Sequence, residues 1–227
     1  MALLGQAALA MWWNMAPDVR EDFEDWHTHE HFPERLGVPG FLRGSRWTSA
    51  EGGEGIFVLY ELDRHEVLSS PEYLARLNAP TPWSTRLMPH HRNMVRTQDR
   101  VLHSRGSVIA RAALTVRLSP VEGGAGALRA GLQGLIDSVV STPGISGAHF
   151  LRHETPAIAQ TTEQKIRGGR DQAADCVLLV CAYDLQVLSA LAASKLSAQS
   201  LQSLGAGPGQ ERGIYALSGS ATPQDVR

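Results

Sequence analysis

The chain has 227 residues, of which 43% are apolar and 19% charged, with 22 glycines and 12 prolines. That composition excludes a disordered, collagenous or coiled-coil chain, and no apolar run reaches the ~20 residues that span a bilayer. A formal net charge of -2 supplies no basic field, so the expected partner is a small-molecule substrate, with neither nucleic acid nor membrane.

The apolar start carries no Lys or Arg before Arg20 and ends in Trp12-Trp13-Asn14 rather than a small-residue cleavage site. It reads as a strand over 7–15 and not as a signal peptide. Ala16-Pro17-Asp18 opens a helical pattern to about Leu36, and Val38-Pro39-Gly40 turns the chain. Strands follow at 41–48 and 56–62, then a helix at 63–78 and a strand at 93–103. The order β-α-β-β-α-β is that of a ferredoxin-like unit.

The same order then recurs. A strand at 109–118 precedes a helix at 125–141, and Thr142-Pro143-Gly144 repeats the earlier Pro-Gly turn. A strand at 176–183 follows, with a last one near 214–217. Val187-Leu188-Ser189 echoes Val67-Leu68-Ser69 at a wider offset, which places a polar insertion near 154–170 that carries Gly168-Gly169 and reads as a loop or flap. The expected fold class is therefore α+β. Two tandem ferredoxin-like repeats, 1–105 and 106–227, pack sheet to sheet as a pseudo-dimer within one chain, either alone or as a homodimer. Cys176 and Cys181 fall on one strand. Five residues of strand span about 16–17 Å, beyond the ~7 Å reach of a disulfide. Two reduced thiols point to the cytoplasm. Only Lys165 and Lys195 are lysines, an arginine bias typical of GC-rich bacterial genomes.

The first helix is the informative segment. At about 100° per residue from Val19, Phe23 falls near +40°, Trp26 near -20° and Glu30 near +20°. Glu21, Glu24, Asp25 and Thr28 take the far side. Glu30 thus sits in an apolar stripe, flanked by His27, Glu34 and His31. A carboxylate there is paired, protonated or functional. It is either bonded to Arg46 or backbone, or it is a raised-pKa group lining a cavity. The i, i+4 spacing of His27 and His31 could hold a metal, but no glutamate directly follows the first histidine and no second ligand pair appears elsewhere, so no metal is expected. Arg46 is the candidate anchor for a substrate carboxylate. Trp26, Phe23, Tyr60 and Trp83 complete the expected lining, while His90 and His91 read as surface histidines. The first helix of the second repeat has no inward carboxylate or histidine. One site per chain is expected, in the first repeat, with the insertion as a candidate lid.

Trp26-His27-Thr28-His29-Glu30-His31-Phe32-Pro33-Glu34-Arg35, followed by Val38-Pro39-Gly40-Phe41, resembles the first helix and turn of the dimeric α+β barrel superfamily, in its EthD-like branch. The resemblance covers 1–105 by motif, and 106–220 by element order and Thr142-Pro143-Gly144. It implies a cavity between sheet and helices of the first repeat. The family's first-helix histidine matches His31, whereas the helical wheel favours Glu30 and His27. Proteins of this fold include cofactor-free monooxygenases, muconolactone-type isomerases, polyketide cyclases and heme enzymes such as chlorite dismutase; fold alone does not choose among them.

The expected function is a cofactor-independent enzyme that moves a proton on a small cyclic or aromatic substrate, as an isomerase, lyase or cyclase. Glu30 is the expected acid or base, with His27 or His31 as shuttle or oxyanion support. The alternatives are a non-catalytic ligand-binding or stress-response barrel, and a heme protein with His149 and His153 among the axial candidates.

Overall fold

Strand β1 (Ala7–Asn14) sends Ala8, Ala10 and Trp12 to one face and Ala7, Leu9 and Trp13 to the other, and both faces are buried. A strand of this kind lies between two layers. The computed structural model, which describes residues 3–106, 109–168 and 171–226, supplies both layers. β2 (Phe41–Ser49), β3 (Gly55–Leu62) and β4 (Arg92–Gly106) join β1 in the order β4-β1-β3-β2. β5 (Ala112–Leu118), β6 (Ile145–His153), β7 (Cys176–Ala182) and β8 (Glu211–Ala221) repeat that order as β8-β5-β7-β6. The two sheets meet through antiparallel β2–β8 and β4–β6 pairs and close into a barrel of eight strands. The chain therefore has the expected α+β architecture, two ferredoxin-like units forming one barrel.

Three apolar layers result. Inside the barrel, Phe57 stacks between Trp12 and Trp47 at centroid distances of 5.1 and 5.0 Å. Outside the first sheet lies one continuous helical run: α1 (Arg20–Trp26), a wide π turn (His27–His31) and α2 (Phe32–Leu36). α3 (Pro71–Asn78) and α4 (Pro82–Leu87) complete this layer. The second sheet is covered by α5 (Ala125–Val139), whose Leu128, Leu132, Ile136 and Val139 are buried, and by later helices α7 (Leu185–Ala193) and α8 (Ala198–Ser203). Among the described residues no helix is long and apolar enough to cross a membrane.

The two Pro-Gly turns are equivalent in space as well as in sequence. Gly40 and Gly144 have φ of +93° and +95°, and a Cβ at either would overlap a valine, Val67 in the first unit and Val187 in the second. Cys176 faces the helices and Cys181 the barrel interior; both are free, and burial pushes each thiol up to about 12.

Several expected boundaries shift for physical reasons. The helix expected over 63–78 is a 3-10 turn (His65–Ser69) followed by α3, because Ser70 caps the helix by accepting the Tyr73 N–H and Pro71 starts it. The last strand, expected near 214–217, is the longer β8. Its Ser218, Gly219 and Ser220 have poor strand propensity, yet β2 pairs alongside them and extends the strand to Ala221. β5 starts at Ala112 rather than Ile109, and α5 ends at Val139 rather than 141. The insertion fills the stretch between β6 and β7 and carries α6 (Thr162–Ile166). Its residues 169–170, including the second glycine of the expected Gly-Gly pair, lie outside the described residues.

Gly144→Ala adds both a disfavoured φ and a clash with Val187. The expected cost is roughly 1–3 kcal/mol, read as a lower urea midpoint at unchanged slope. Val187→Ala in that background should recover only the steric part.

Candidate functional site

A small, partly open cavity lies between the first sheet and its helices. The sheet contributes Leu9, Met11, Trp13, Tyr60, Met94 and Arg96. The helical run contributes Trp26, His27, His31 and Arg35, while Tyr73, Leu77, Met88 and His91 come from the following segments. Glu163 and Arg167 come from the insertion of the second unit. The insertion thus covers the cavity of the opposite repeat.

The π turn decides which polar groups face inward. Its closing hydrogen bond runs from the Phe32 N–H to the His27 carbonyl, one residue wider than an α turn. Pro33 has no N–H to give the His29 carbonyl, and its ring would press on that carbonyl in a regular α-helix. The extra residue sets everything after it back by about 100°. His31 rotates into the apolar stripe and Glu30 rotates out of it. His27 and His31 are both buried, whereas Glu30 is half-buried and outside the cavity lining.

Glu30, the expected acid or base, is thus placed outside the lining, where it braces the helix. Its Oε1 accepts hydrogen bonds from Trp26 Nε1 (3.0 Å), from the Ser84 hydroxyl (3.3 Å) and from the Thr81 hydroxyl. Arg46, the expected substrate anchor, likewise stands outside the lining. It donates to the Glu24 carbonyl (3.1 Å) and the Ser218 hydroxyl (3.2 Å) and lies over the Phe23 ring, tying α1 to the barrel wall. Trp83 donates to Asp22 (2.8 Å) and also stands outside the lining. Phe23 is fully buried behind the histidines, 5.4 Å from His27 by ring centroid. Of the expected residues, the structure brings Trp26, His27, His31 and Tyr60 together in the cavity.

Each histidine is held in an aromatic setting. His31 lies against Trp26 at 4.4 Å and His27 against Phe32 at 4.3 Å between ring centroids. Their Nδ1 atoms are buried without hydrogen-bond partners. Burial holds both pKa values well below the usual 6.5, and nearby arginines push the same way: Arg46 for His27, Arg35 for His31. Both rings are neutral near pH 7. Glu34 stands 3.7 Å from His31 Nδ1, and its own pKa is raised, first by burial. The Tyr60 hydroxyl is buried and unpaired, and burial raises its pKa strongly.

The sequence reading missed His91, Arg35 and the insertion's charged pair. His91 was expected on the surface, but it packs on Trp13 at 4.9 Å and faces the cavity. Its Nδ1 lies 3.2 Å from the carbonyls of Leu87 and Met88, so Nδ1 carries the proton and Nε2 is free to accept. Burial lowers its pKa to about 4. Arg35, 2% exposed, is ion-paired to Glu163 of α6. Among the described residues no group of His, Cys, Asp and Glu is arranged to hold a metal ion. His149 pairs with Leu179 on the barrel-interior face and bonds Ser104, while His153 accepts the Gln98 N–H. Neither lines the cavity, so these two are not placed to ligate a heme there.

All three cavity histidines have folded-state pKa values below 6.5, so protonation favours the unfolded chain. Their contribution is complete above pH 6.5 and is lost as pH falls toward the folded values. Denaturant titrations should show stability dropping between about pH 6.5 and 4. His91→Gln should make that slope shallower; an unchanged slope would mean His91 is not buried neutral.

No protein-family model matches the chain, and no curated protein is similar to it in sequence. Solved structures are similar in fold. An anthrone oxidase-like protein superimposes with a TM-score of 0.64 at 11% identity, over 99% of this chain and 96% of that one. A candidate monooxygenase from Fusobacterium nucleatum gives 0.62 at 8% identity, over 97% and 96%. Another from Lactobacillus acidophilus gives 0.59 at 6% identity, over 96% and 97%. These likenesses correct the expected isomerase- or lyase-type chemistry, since the proteins are named for oxidation, and they do not single out an EthD-like branch. The fold itself is that of the dimeric α+β barrels, here built within a single polypeptide.

Proposed function

We propose that this chain is an oxygenase that oxidises an aromatic, anthrone-like substrate with dioxygen, using His31 as the proton acceptor. The observation that carries this reading is a pair of neutral, buried histidines with unpartnered Nδ1 atoms in a cavity walled by aromatic and apolar side chains alongside the charged Arg35, Arg96, Glu163 and Arg167. Neutral imidazole is the basic form, and Glu34, 3.7 Å away, stabilises the imidazolium once His31 takes a proton. Glu34 thus acts through His31 as a positioning residue. The names of the similar structures favour the same reaction class.

The chemistry balances without a further reductant. His31 removes a proton from an activated ring CH2, leaving a carbanion delocalised over the aromatic system. The anion passes electrons to dioxygen and forms a carbon–oxygen bond, and His31 returns the proton to the peroxide. Loss of water then gives the ketone, so CH2 plus dioxygen becomes C=O plus water. Leu9, Met11, Leu77, Met88 and Met94 provide the apolar wall that suits both substrate rings and dioxygen.

The test is oxygen uptake with anthrone, measured above the spontaneous rate. His31→Gln should lower kcat by about 10²–10⁴-fold with KM changed only a few-fold. In the native chain kcat/KM should stay level from pH 6.5 upward and fall only in acid, because His31 is already neutral there. No enzymic oxygen uptake, or an H31Q variant as active as the native chain, overturns the proposal. Anthrone binding without uptake would favour a non-catalytic binding barrel.

A further inference from the structure

Arg35 is out of contact with water and cannot shed its charge. A buried guanidinium must keep an anion beside it at all times. That anion comes from an unexpected place: Glu163 on α6, in the insertion of the other repeat, 128 residues further along the chain. Both partners line the cavity that holds His27, His31 and Tyr60.

We propose that Arg35 is the substrate-recognition residue for an anionic substituent, and that the Glu163 carboxylate occupies its place until substrate arrives. The substrate class is an aromatic acid, with a carboxylate beside its ring. This rests on the cavity being the substrate site. It goes further in naming a group that the preferred substrate carries.

Three features support the exchange. First, the Arg35 fork is only half used. Nη2 bonds Glu163, while Nη1 is buried with no hydrogen bond, its nearest carboxylate being Glu34 at 3.4 Å. A ligand carboxylate engaging both nitrogens satisfies more of the guanidinium than Glu163 does. Arg35 also lies over the Tyr73 ring at 5.7 Å, and Tyr73 accepts from Arg96 at 3.0 Å, so the plane of the fork is fixed.

Second, Glu163 does not become an orphan when it leaves. Arg167, one turn along, stands 3.7 Å from its other oxygen and also lines the cavity. Arg167 is in turn paired with Asp171 at 2.9 Å. Glu163 thus keeps a cation beside it after the exchange.

Third, α6 can yield locally. It is a short helix closed by its own capping box, and the Thr162 N–H reaches Asn78 at 3.1 Å. The flanks of the insertion are held elsewhere, by backbone bonds from Glu154 to Gln98, from Gln172 to Met94 and from Arg96 to Gln172, all on β4. Moving the Glu163 side chain therefore leaves the strand contacts in place. A neutral aromatic has nothing to offer Arg35 and leaves the native ion pair intact.

The probes are 1-hydroxy-2-naphthoate and its neutral methyl ester, with binding followed by calorimetry and by quenching of tryptophan fluorescence. Glu163→Gln should bind the acid about tenfold more tightly than the native chain and should gain more in Tm from it. The ester should bind both alike. The double variant R35Q/E163Q removes both charges of the pair and should bind acid and ester equally. That arm decides the question even where E163Q alone folds poorly. Acid binding no tighter in a folded E163Q, or an acid preference that survives in R35Q/E163Q, overturns the proposal. Ester binding without any acid preference in the native chain or the variants sinks this inference while leaving the cavity reading standing. Failure of both probes to bind any form overturns both.

Discussion

Barrel closure is the constraint on which the rest depends. Each four-stranded sheet has one face covered by its own helices and another that carries large apolar groups: Trp12, Trp47 and Phe57 from the first unit, Leu151, Val177 and Leu179 from the second. Neither face can remain in water, and each lone sheet would also expose two unpaired edges. Joining β2 to β8 and β4 to β6 solves both problems at once. Because the two halves belong to one chain, symmetry is no longer required of them. The first unit keeps a cavity with three histidines, and the equivalent helix of the second, α5, is filled with aliphatic side chains.

The same closure brings the insertion to the site. β6 runs antiparallel to β4 and ends with His153 opposite Asp99. The chain leaving β6 is therefore already on the first unit's edge, beside the strand that supplies Met94 and Arg96 to the cavity. The next residues bond β4 through Glu154 and Gln172 and place Glu163 over Arg35. An insertion in one repeat becomes a wall of the other because of strand order, with no special linker needed.

Within the first unit, the helix reconciles a proline with a buried stripe. Pro33 cannot sit in a regular α-helix without disturbing the turn before it. The wide turn at His27–His31 absorbs the disturbance and exchanges a carboxylate for a histidine on the inner face. The exchange matters energetically. A neutral imidazole tolerates a dry aromatic setting, whereas an ionised carboxylate there would need full compensation. Glu30 instead finds three donors, Trp26 on α1 and Thr81 and Ser84 at the start of α4, and ties that helix to the first.

The sequence by itself determined the element order, the two repeats, both Pro-Gly turns and a segment whose side chains line the cavity. These are properties of short stretches: apolar periodicity, turn chemistry and matching offsets. It also placed Trp26, His27, His31 and Tyr60 among the candidates, and all four line the cavity. Tertiary structure decided the rest. A helical wheel assumes a constant rotation per residue, so it could not anticipate the π turn that turned Glu30 out and His31 in. Arg46 and Trp83 looked like cavity residues on their own elements, but the partners that claim them, Ser218 and Asp22, are distant in sequence. His91 looked like surface because only the packing of Trp13, Phe23 and Trp26 around it half-buries the ring against the cavity. Arg35 and Glu163 are unremarkable alone, and their meaning as a pair exists only once the barrel has closed.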